Sequence, residues 1–177
     1  ESNLVSMAAA KYDLVIASST QLEEAIKKHA PEFPDVKFGI IDGVVEGDNV
    51  ISAVFAQNQS SFLVGAEAAM DTKSDMPNMN KDKTIGFIGG MDIPVINDFR
   101  VGFEQGVKYV DPDAKVLVSY AGTFNDPLKG KELALAQFSQ GADVIFNAAA
   151  GTGNGVLEAA NQEGKYAIGC DINQDNL

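Results

Sequence analysis

Short apolar runs alternate with helical patterns along almost the whole chain, and this alternation limits the fold more than any other feature. The runs are YDLVIA (12–17), VKFGIID (36–42), NVISAVF (49–55), KTIGFIG (83–89), AKVLVSY (114–120), ADVIFNA (142–148) and YAIGC (166–170). Most are continuously apolar at their centres, which is typical of strands buried on both faces of a parallel sheet. The later runs recur at the spacing of strand–helix units. The sequence therefore predicts an α/β fold of doubly wound parallel sheets, with helices on both faces.

Several local signals mark the helices between these runs. Thr20 and Glu23 have the spacing of a capping box and predict a helix over QLEEAIKKHA. Asp126 followed by Pro127 predicts the start of another helix, and Asn154 is a candidate cap for GVLEAANQE. A single apolar face is predicted for the helix that carries Phe99, Phe103, Val107 and Val110.

The polar segment DTKSDMPNMNKDK (71–83) is the best candidate for a domain boundary, because it is long and contains proline and asparagine. We therefore predict two domains, residues 1–79 and residues 80–177.

Composition excludes some classes of protein. The chain has 13 Lys and Arg against 25 Asp and Glu, a net charge of −12, so we expect no nucleic-acid partner. No run approaches the length of a membrane-spanning helix. Cys170 is the single cysteine, which rules out an internal disulfide, and its apolar neighbours indicate a buried side chain rather than a reactive thiol.

The segment GTGNG (151–155) has three interpretations. A phosphate-binding loop is disfavoured, because the third glycine of G-x-G-x-x-G would fall at Val156. The second is a strand-to-helix turn in which glycine supplies a positive φ. The third is a turn whose small residues let a neutral ligand approach the backbone.

Ligands of open α/β sheets bind beyond the carboxyl ends of the strands, so the residues at those ends are candidates. They combine carboxylates, an aromatic ring, hydroxyls and small residues, a set that suits a polyhydroxylated ligand with a flat ring. Each residue alone is also compatible with a turn or cap. The candidates for ligand binding are Asp42, Met91, Phe124, Gly151 and Asp171.

Catalytic and metal-binding patterns are missing from the sequence. The single histidine, His29, lies on the polar side of a predicted helix, away from any strand end. Neither HExxH nor CxxC occurs, so we expect no enzyme activity, no metal site and no cofactor.

Three long segments of the chain resemble the basic membrane protein family, the solute-binding lipoproteins of bacterial ABC importers that include purine nucleoside receptors. They are KTIGFIGGMDIPVINDFRVGFEQGVKYV, SYAGTFNDPLKGKELALAQFSQGADVIFNAAAGTGNGVLEAA and YAIGCDINQDN, and FGIIDG and NVISAVFAQNQSSFLVGAEAA fit the same family. The resemblance implies a two-lobed, type I periplasmic-binding-protein fold, with residues 1–79 as part of the first ligand-binding lobe and residues 80–177 as most of the second. Members usually carry a further strand before this region and continue well past it, so the chain is expected to be a piece of a longer protein.

The resemblance also implies a role for particular residues. Asp171 of GCDINQ matches the aspartate expected at the ribose hydroxyls, Gly151 matches the glycine of the cleft turn, and Phe124 matches an aromatic at the cleft mouth. The sequence departs from the family at IASST, at Ala150, where glycine is common, and at Cys170, where valine is common. The first departure bears on base selectivity.

The function implied is capture of a nucleoside, with purines favoured, and its delivery to a membrane permease by an extracytoplasmic, monomeric protein. This location would be periplasmic or at the cell membrane through a lipid anchor. A ligand-sensing regulator with the same fold is the main alternative. A nucleoside-processing enzyme is a weaker alternative, because the chain lacks a cofactor fingerprint and a suitable base.

Overall fold

The computed structural model of the protein describes residues 1–174 of the 177-residue chain. The chain divides into two compact units, Glu1–Ala56 and Gln57–Leu177. Every apolar run of the sequence contains a strand, and the strands form two parallel sheets. The predicted α/β fold class with parallel sheets is confirmed.

The first unit contains a three-stranded parallel sheet in the order β1-β2-β3. In chain order its elements are α1 (Ser2–Ala9), β1 (Leu14–Ser18), α2 (Glu23–His29), β2 (Lys37–Ile41) and β3 (Val50–Ala53). Short 3₁₀ turns flank α2 on both sides. Residues 42–49 connect β2 to β3 without a helix.

One face of this sheet packs against the two helices. Phe38 and Ile40 on β2 are buried in a core that also contains Leu4 of α1 and Ile26 of α2. The opposite face is open in the described chain, where Ile16 and Ile51 are 61% and 68% exposed. Within residues 1–174 both helices of this unit lie on the same side of the sheet, so its strands are buried on one face.

The second unit contains a four-stranded parallel sheet in the order β5-β4-β6-β7. In chain order its elements are α3 (Gln57–Asp71), β4 (Thr84–Gly89), α4 (Pro94–Val110), β5 (Lys115–Tyr120), α5 (Pro127–Ser139), β6 (Ala142–Ala148), α6 (Gly153–Glu163) and β7 (Tyr166–Ile168). The two central strands, β4 and β6, are buried along their whole length, as the sequence predicted.

Helices cover both faces of this second sheet. Helices α3 and α4 pack on the face that presents Phe87 and Phe146, and the ring of Phe103 on α4 lies 5.4 Å from that of Phe146. Helices α5 and α6 pack on the other face, against Ile88 and Ile145. The predicted apolar face of α4 is confirmed, since all four of its members pack in the first of these cores (Phe99, Phe103, Val107 and Val110).

Helices α3 and α4 contact each other through glycines at backbone distance. A Cβ added at Gly106 would lie 2.8 Å from the carbonyl carbon of Phe62, and one added at Gly65 would lie 2.9 Å from that of Phe103. This packing places α3 in the second unit. The two compact units therefore divide at residues 56 and 57, earlier in the chain than the polar segment from which we predicted domains 1–79 and 80–177. The assignment of these domains to ligand-binding lobes stays a prediction.

Of the three N-terminal caps predicted from the sequence, the structure confirms one and contradicts two. Asp126 caps α5 by accepting a hydrogen bond from the Lys129 amide at 3.0 Å. The predicted capping box at Thr20 is wrong, because Ser19 accepts from the Gln21 amide and opens a 3₁₀ turn instead. Asn154 lies inside the first turn of α6 and does not cap it. Within residues 1–174 no helix combines the length and the apolar character that crossing a membrane requires.

Candidate ligand-binding site

The loops that follow β4, β5 and β6 are hydrogen-bonded to one another at the carboxyl edge of the second sheet. The Gly90 amide donates to the Ala148 carbonyl at 3.0 Å, and the Thr123 amide donates to the Gly90 carbonyl at 3.0 Å. The Thr152 amide donates to the Phe124 carbonyl, also at 3.0 Å. These bonds bring together three residues that the sequence placed at strand ends: Met91, Phe124 and Gly151.

Phe124 is the aromatic side chain of this edge. It is half-buried, and its ring packs directly over Gly90. A Cβ added at Gly90 would lie 3.2 Å from Cγ of the ring and closer still to Cδ1 and Cε1. Glycine at position 90 is therefore what allows the ring to lie against the turn after β4. Part of the ring surface remains accessible to a ligand.

Gly151 lies in the turn between β6 and α6 and is half-buried. A Cβ added there would lie 3.1 Å from the Phe124 carbonyl oxygen, so the two residues are neighbours. The strand-to-helix turn predicted for GTGNG is confirmed. The predicted reason for its glycines is wrong, because the residue with positive φ is Ala150, at +46°.

The other two glycines of GTGNG serve close packing. A Cβ added at Gly153 would lie 2.8 Å from Cγ of Asn147, and one added at Gly155 would lie 2.7 Å from the carbonyl carbon of Pro127. The first contact holds α6 over the end of β6, and the second holds it against the start of α5.

Asp171 follows β7 and is exposed, with a φ of +69°. Its carboxylate accepts a hydrogen bond from the Cys170 thiol at 3.4 Å. The Cys170 amide donates to Gln174, whose own side-chain amide donates to Asn154 at the start of α6. The segment carrying Asp171 is thereby tied to the same helix that follows the Gly151 turn.

Cys170 itself has the properties of a packing residue. It is half-buried against the core between the sheet and helices α3 and α4. Burial, with a smaller contribution from the adjacent Asp171 charge, raises the pKa of the thiol to about 12. The thiolate needed for nucleophilic reactions is therefore scarce at neutral pH.

Met91 and Asp42 complete the predicted set. Met91 is half-buried in the turn after β4, where its carbonyl accepts from the Ile93 amide at 3.1 Å. Asp42 belongs to the first unit, where it follows β2 with a φ of +59° and donates its amide to the Ala53 carbonyl. Four of the five candidates thus lie in the second unit and one in the first.

The sequence analysis missed Thr152, which is fully buried beneath the loop that carries Phe124. Its hydroxyl donates to the Thr123 carbonyl at 3.1 Å and accepts from the Asp126 amide at 3.0 Å. No local pattern could have identified this residue, because its partners lie 26 and 29 positions away in the sequence.

The chemistry available at this edge is binding rather than proton transfer. His29 lies at the end of α2 in the first unit, where both of its ring nitrogens contact carboxylates, those of Glu1 and Glu32. Within residues 1–174 no group of three or more His, Cys, Asp or Glu side chains is placed to hold a metal ion. What the edge offers is an aromatic face, an exposed carboxylate and accessible backbone.

A family model described as "ABC transporter substrate-binding protein PnrA-like" matches residues 1–177. The chain belongs to the Bmp family. This confirms the resemblance that the sequence motifs indicated. The family is one of substrate-binding proteins rather than enzymes, in agreement with the expectation that the chain performs no chemistry.

Curated relatives in the Bmp family extend the comparison. The CD4+ T-cell-stimulating antigen of Listeria monocytogenes is 39% identical over 182 residues, covering 98% of this chain and 49% of the relative. The ABC transporter nucleoside-binding protein BmpA of Lactococcus lactis subsp. cremoris is also 39% identical, over 175 residues that cover 94% of the chain and 48% of the relative. The chain spans about half the length of the curated relatives it matches.

Solved structures confirm the type I periplasmic-binding-protein fold expected of a Bmp family member. A solute-binding protein of an ABC transporter system from Aeropyrum pernix K1 superimposes with a TM-score of 0.83 at 29% identity. That match covers 95% of this chain and 48% of the other. A transcriptional activator of the comK gene from Bacillus halodurans superimposes with a TM-score of 0.76 at 24% identity, covering 95% of this chain and 55% of that one. At that identity the likeness is one of fold alone, and it does not favour the regulator alternative.

Proposed function

We propose that the complete protein containing this chain captures a nucleoside between two lobes and delivers it to the permease of an ABC importer. The observation that carries the proposal is the pair formed by Phe124 and Asp171 at one edge of the second sheet. Membership of the Bmp family supports a transport role. The relative from Lactococcus lactis described as nucleoside-binding supports the class of ligand.

The spacing of the pair fits the length of a nucleoside. Phe124 packs on Gly90 at the end of β4, and Asp171 follows β7, two positions along in the order β5-β4-β6-β7. Because neighbouring strands are about 4.8 Å apart, the ends of β4 and β7 lie roughly 10 Å apart along the edge. A nucleoside carries a flat base at one end and vicinal hydroxyls at the other. In this arrangement the base stacks on Phe124 and the ribose reaches Asp171.

The side chains suit these two ends. An ionised carboxylate accepts hydrogen bonds from two hydroxyls at once, which matches the 2′ and 3′ hydroxyls of ribose. The ring of Phe124 supplies an offset stacking surface for a base. Gly151 leaves room for the ligand beside the backbone, and Met91 provides an adaptable apolar contact. Asp42 stays a further candidate for ligand binding, in the first unit.

Affinity would come from contacts that exist only when the lobes close on the ligand. The protein would act as a monomer outside the cytoplasm, held at the cell membrane by a lipid anchor or free in a periplasm. A purine is the favoured base, since its larger ring system covers more of the aromatic surface.

The proposal is tested by replacing Asp171 in the full-length protein. Position 171 has a φ of +69°, which glycine and asparagine tolerate and alanine does not, so Asp171→Gly and Asp171→Asn are the informative variants. Charge-assisted hydrogen bonds contribute about 1.5–3 kcal/mol each, and every 1.4 kcal/mol is about tenfold in affinity. We expect Asp171→Gly to weaken nucleoside binding by about tenfold to a hundredfold in calorimetric titration.

Titration with a nucleoside, its free base and its 2′-deoxynucleoside, together with one control variant, separates loss of the ribose contact from a general loss of binding. Asp171→Gly should leave the affinity for a free base almost unchanged. It should lower the affinity for a 2′-deoxynucleoside less than the affinity for the nucleoside. Glu163→Gln removes another exposed carboxylate, at the end of α6, and should leave all three affinities unchanged. Unchanged nucleoside affinity in folded Asp171→Gly protein would contradict the ribose assignment.

A further inference from the structure

We infer that Thr152 is a positioning residue for the stacking of a base, because it fixes the loop that carries Phe124. The inference rests on the proposed function, because it concerns the stacking of a base on that ring. Thr152 is 0% exposed, so it contacts no ligand itself. Any effect on binding has to pass through the residues that it holds.

Thr152 holds both sides of Phe124. Its hydroxyl donates to the Thr123 carbonyl, one residue before the ring, at 3.1 Å. The same hydroxyl accepts from the Asp126 amide, two residues after the ring, at 3.0 Å. The Thr152 amide donates to the carbonyl of Phe124 itself at 3.0 Å. One buried residue thus fixes the backbone before, at and after the aromatic side chain.

The helices around this loop are held by other contacts. Helix α5 begins at Pro127, directly after the loop, and packs on α6 through glycines. A Cβ added at Gly155 would lie 2.7 Å from the Pro127 carbonyl carbon, and one added at Gly130 would lie 3.1 Å from the Thr152 carbonyl carbon. These are backbone contacts, so the loss of the Thr152 hydroxyl leaves the helix pair in place. The segment that loses two hydrogen bonds is residues 123–126, which keeps the backbone bond from the Thr152 amide to the Phe124 carbonyl.

The position of the ring depends on how firmly this segment is held. Phe124 lies on Gly90, which has no side chain, and at the margin of the core that α3 and α4 cover. A phenyl ring on such a surface slides when its backbone moves, and stacking depends on ring offset as well as contact area. The two hydrogen bonds of the Thr152 hydroxyl therefore help to define where the ring lies on Gly90.

Isosteric replacement separates the hydroxyl from the shape of the side chain. Thr152→Val removes both hydroxyl hydrogen bonds and keeps the volume, whereas Thr152→Ser keeps the hydroxyl. Thr84→Val is the matched control, because Thr84 is also buried and its hydroxyl donates to the Asp82 carbonyl at 3.2 Å, at the opposite end of β4. If Thr152→Val does not fold, Thr152→Ala takes its place. It removes the hydroxyl together with the γ-methyl group and puts no new group next to the polar atoms of the loop.

The first measurement needs no ligand. Hydrogen exchange in the full-length protein should show faster exchange of the amides at 124–126 in Thr152→Val than in wild type, with the amides of β4 and β6 unchanged. Thr152→Ser should exchange like wild type in this segment. Unchanged exchange at 124–126 in Thr152→Val would overturn the positioning role, whether or not nucleosides are the ligand.

The second measurement is calorimetric titration with a purine nucleoside, its free base and the 2′-deoxynucleoside. From the usual contribution of base stacking on aromatic side chains, we expect Thr152→Val to lower the affinity for nucleoside and for free base by about tenfold each. The ratio of nucleoside affinity to deoxynucleoside affinity should be the same in Thr152→Val as in wild type, because Thr152 does not hold the residues that contact the ribose. Thr152→Ser should bind within about threefold of wild type, and Thr84→Val should bind like wild type.

A double-mutant cycle with Phe124→Ala decides whether the effect passes through the ring. If it does, Thr152→Val should lower the nucleoside affinity of the Phe124→Ala protein by less than about twofold. An equal loss in the presence and absence of the ring, or a changed deoxynucleoside ratio, would overturn the inference. A wild-type protein that binds no nucleoside would refute the proposed function instead, and the exchange measurement would still decide the role of Thr152.

Discussion

Gly90→Ala is the sharpest test of the ring position, because it places one methyl group directly under Phe124. The added Cβ would lie 3.2 Å from Cγ of the ring and nearer to Cδ1 and Cε1, whereas carbon atoms prefer separations of about 3.5–4.0 Å. The ring must therefore move by on the order of 1 Å. Because Phe124 is half-buried and not fully enclosed, the ring has space to move outward.

This movement should cost affinity much more than stability. We expect the melting temperature to fall by only a few degrees, which corresponds to about 1 kcal/mol in a protein of this size. Stacking of a base on an aromatic side chain contributes roughly 1–3 kcal/mol, so partial loss of it should weaken purine nucleoside binding by about fivefold to fiftyfold. Calorimetric titration and thermal unfolding of the full-length variant measure the two effects.

Gly39→Ala is the matched control in the first unit. Its added Cβ would meet Ile16 at 3.5 Å, an ordinary contact distance, so neither stability nor affinity should fall. If Gly90→Ala binds a purine nucleoside as tightly as wild type, Phe124 does not stack on the base in the position that the structure gives it.

Two further predictions concern the stability of the fold. Gly106→Ala should destabilise the protein by about 3 kcal/mol or more in urea unfolding, because the new Cβ would lie 2.8 Å from the Phe62 carbonyl carbon and force α3 and α4 apart; a loss below about 1 kcal/mol would contradict this packing. The pKa of His29 is raised above 6.5 by its hydrogen bonds to Glu32 and then Glu1, so its stabilising contribution is complete below pH 6.5 and is lost as the pH rises through the raised value. The melting temperature should decline over that interval in wild type and stay flatter in His29→Gln; equal slopes would contradict the assignment.

The strands were predictable because their signal is local. A run such as ADVIFNA is apolar at successive positions, and a strand with both faces buried has no polar face to interrupt it. The run predicted at 142–148 is strand β6 with the same bounds. The open face of the first sheet was not predictable in this way, because Ile16 and Ile51 are apolar whether or not a partner covers them.

The helix caps and the site depended on contacts that a linear reading misses. Thr20 and Glu23 have the right spacing for a capping box, yet the hydroxyl of the preceding Ser19 opens a 3₁₀ turn. Phe124 and Asp171 could be selected by their places after apolar runs, since carboxyl ends of parallel strands share one edge. Thr152 could not, because its importance comes from hydrogen bonds to residues that follow a different strand.

Backbone strain adds an independent argument about which strand-end residues matter. Four non-glycine residues at such ends have a positive φ: Ser19, Asp42, Ala150 and Asp171. Conformations of this kind cost on the order of 1–3 kcal/mol for most residues, whereas Asp and Asn adopt them more readily, so a residue of another type kept there needs a compensating role. For Ser19 the role is structural, because its hydroxyl accepts from the Gln21 amide.

Asp171 does not have an equivalent structural explanation. Its carboxylate is exposed, and the hydrogen bond that it accepts comes from a thiol, which is a weak donor. Aspartate adopts a φ such as the +69° found here more readily than most residues, because its short side chain can form local hydrogen bonds. An exposed carboxylate at this strand end can accept hydrogen bonds from a partner outside the chain, and ribose hydroxyls are donors of the required kind. The exposed position of Asp171 after β7 is therefore what the Asp171→Gly titration tests against the ribose assignment.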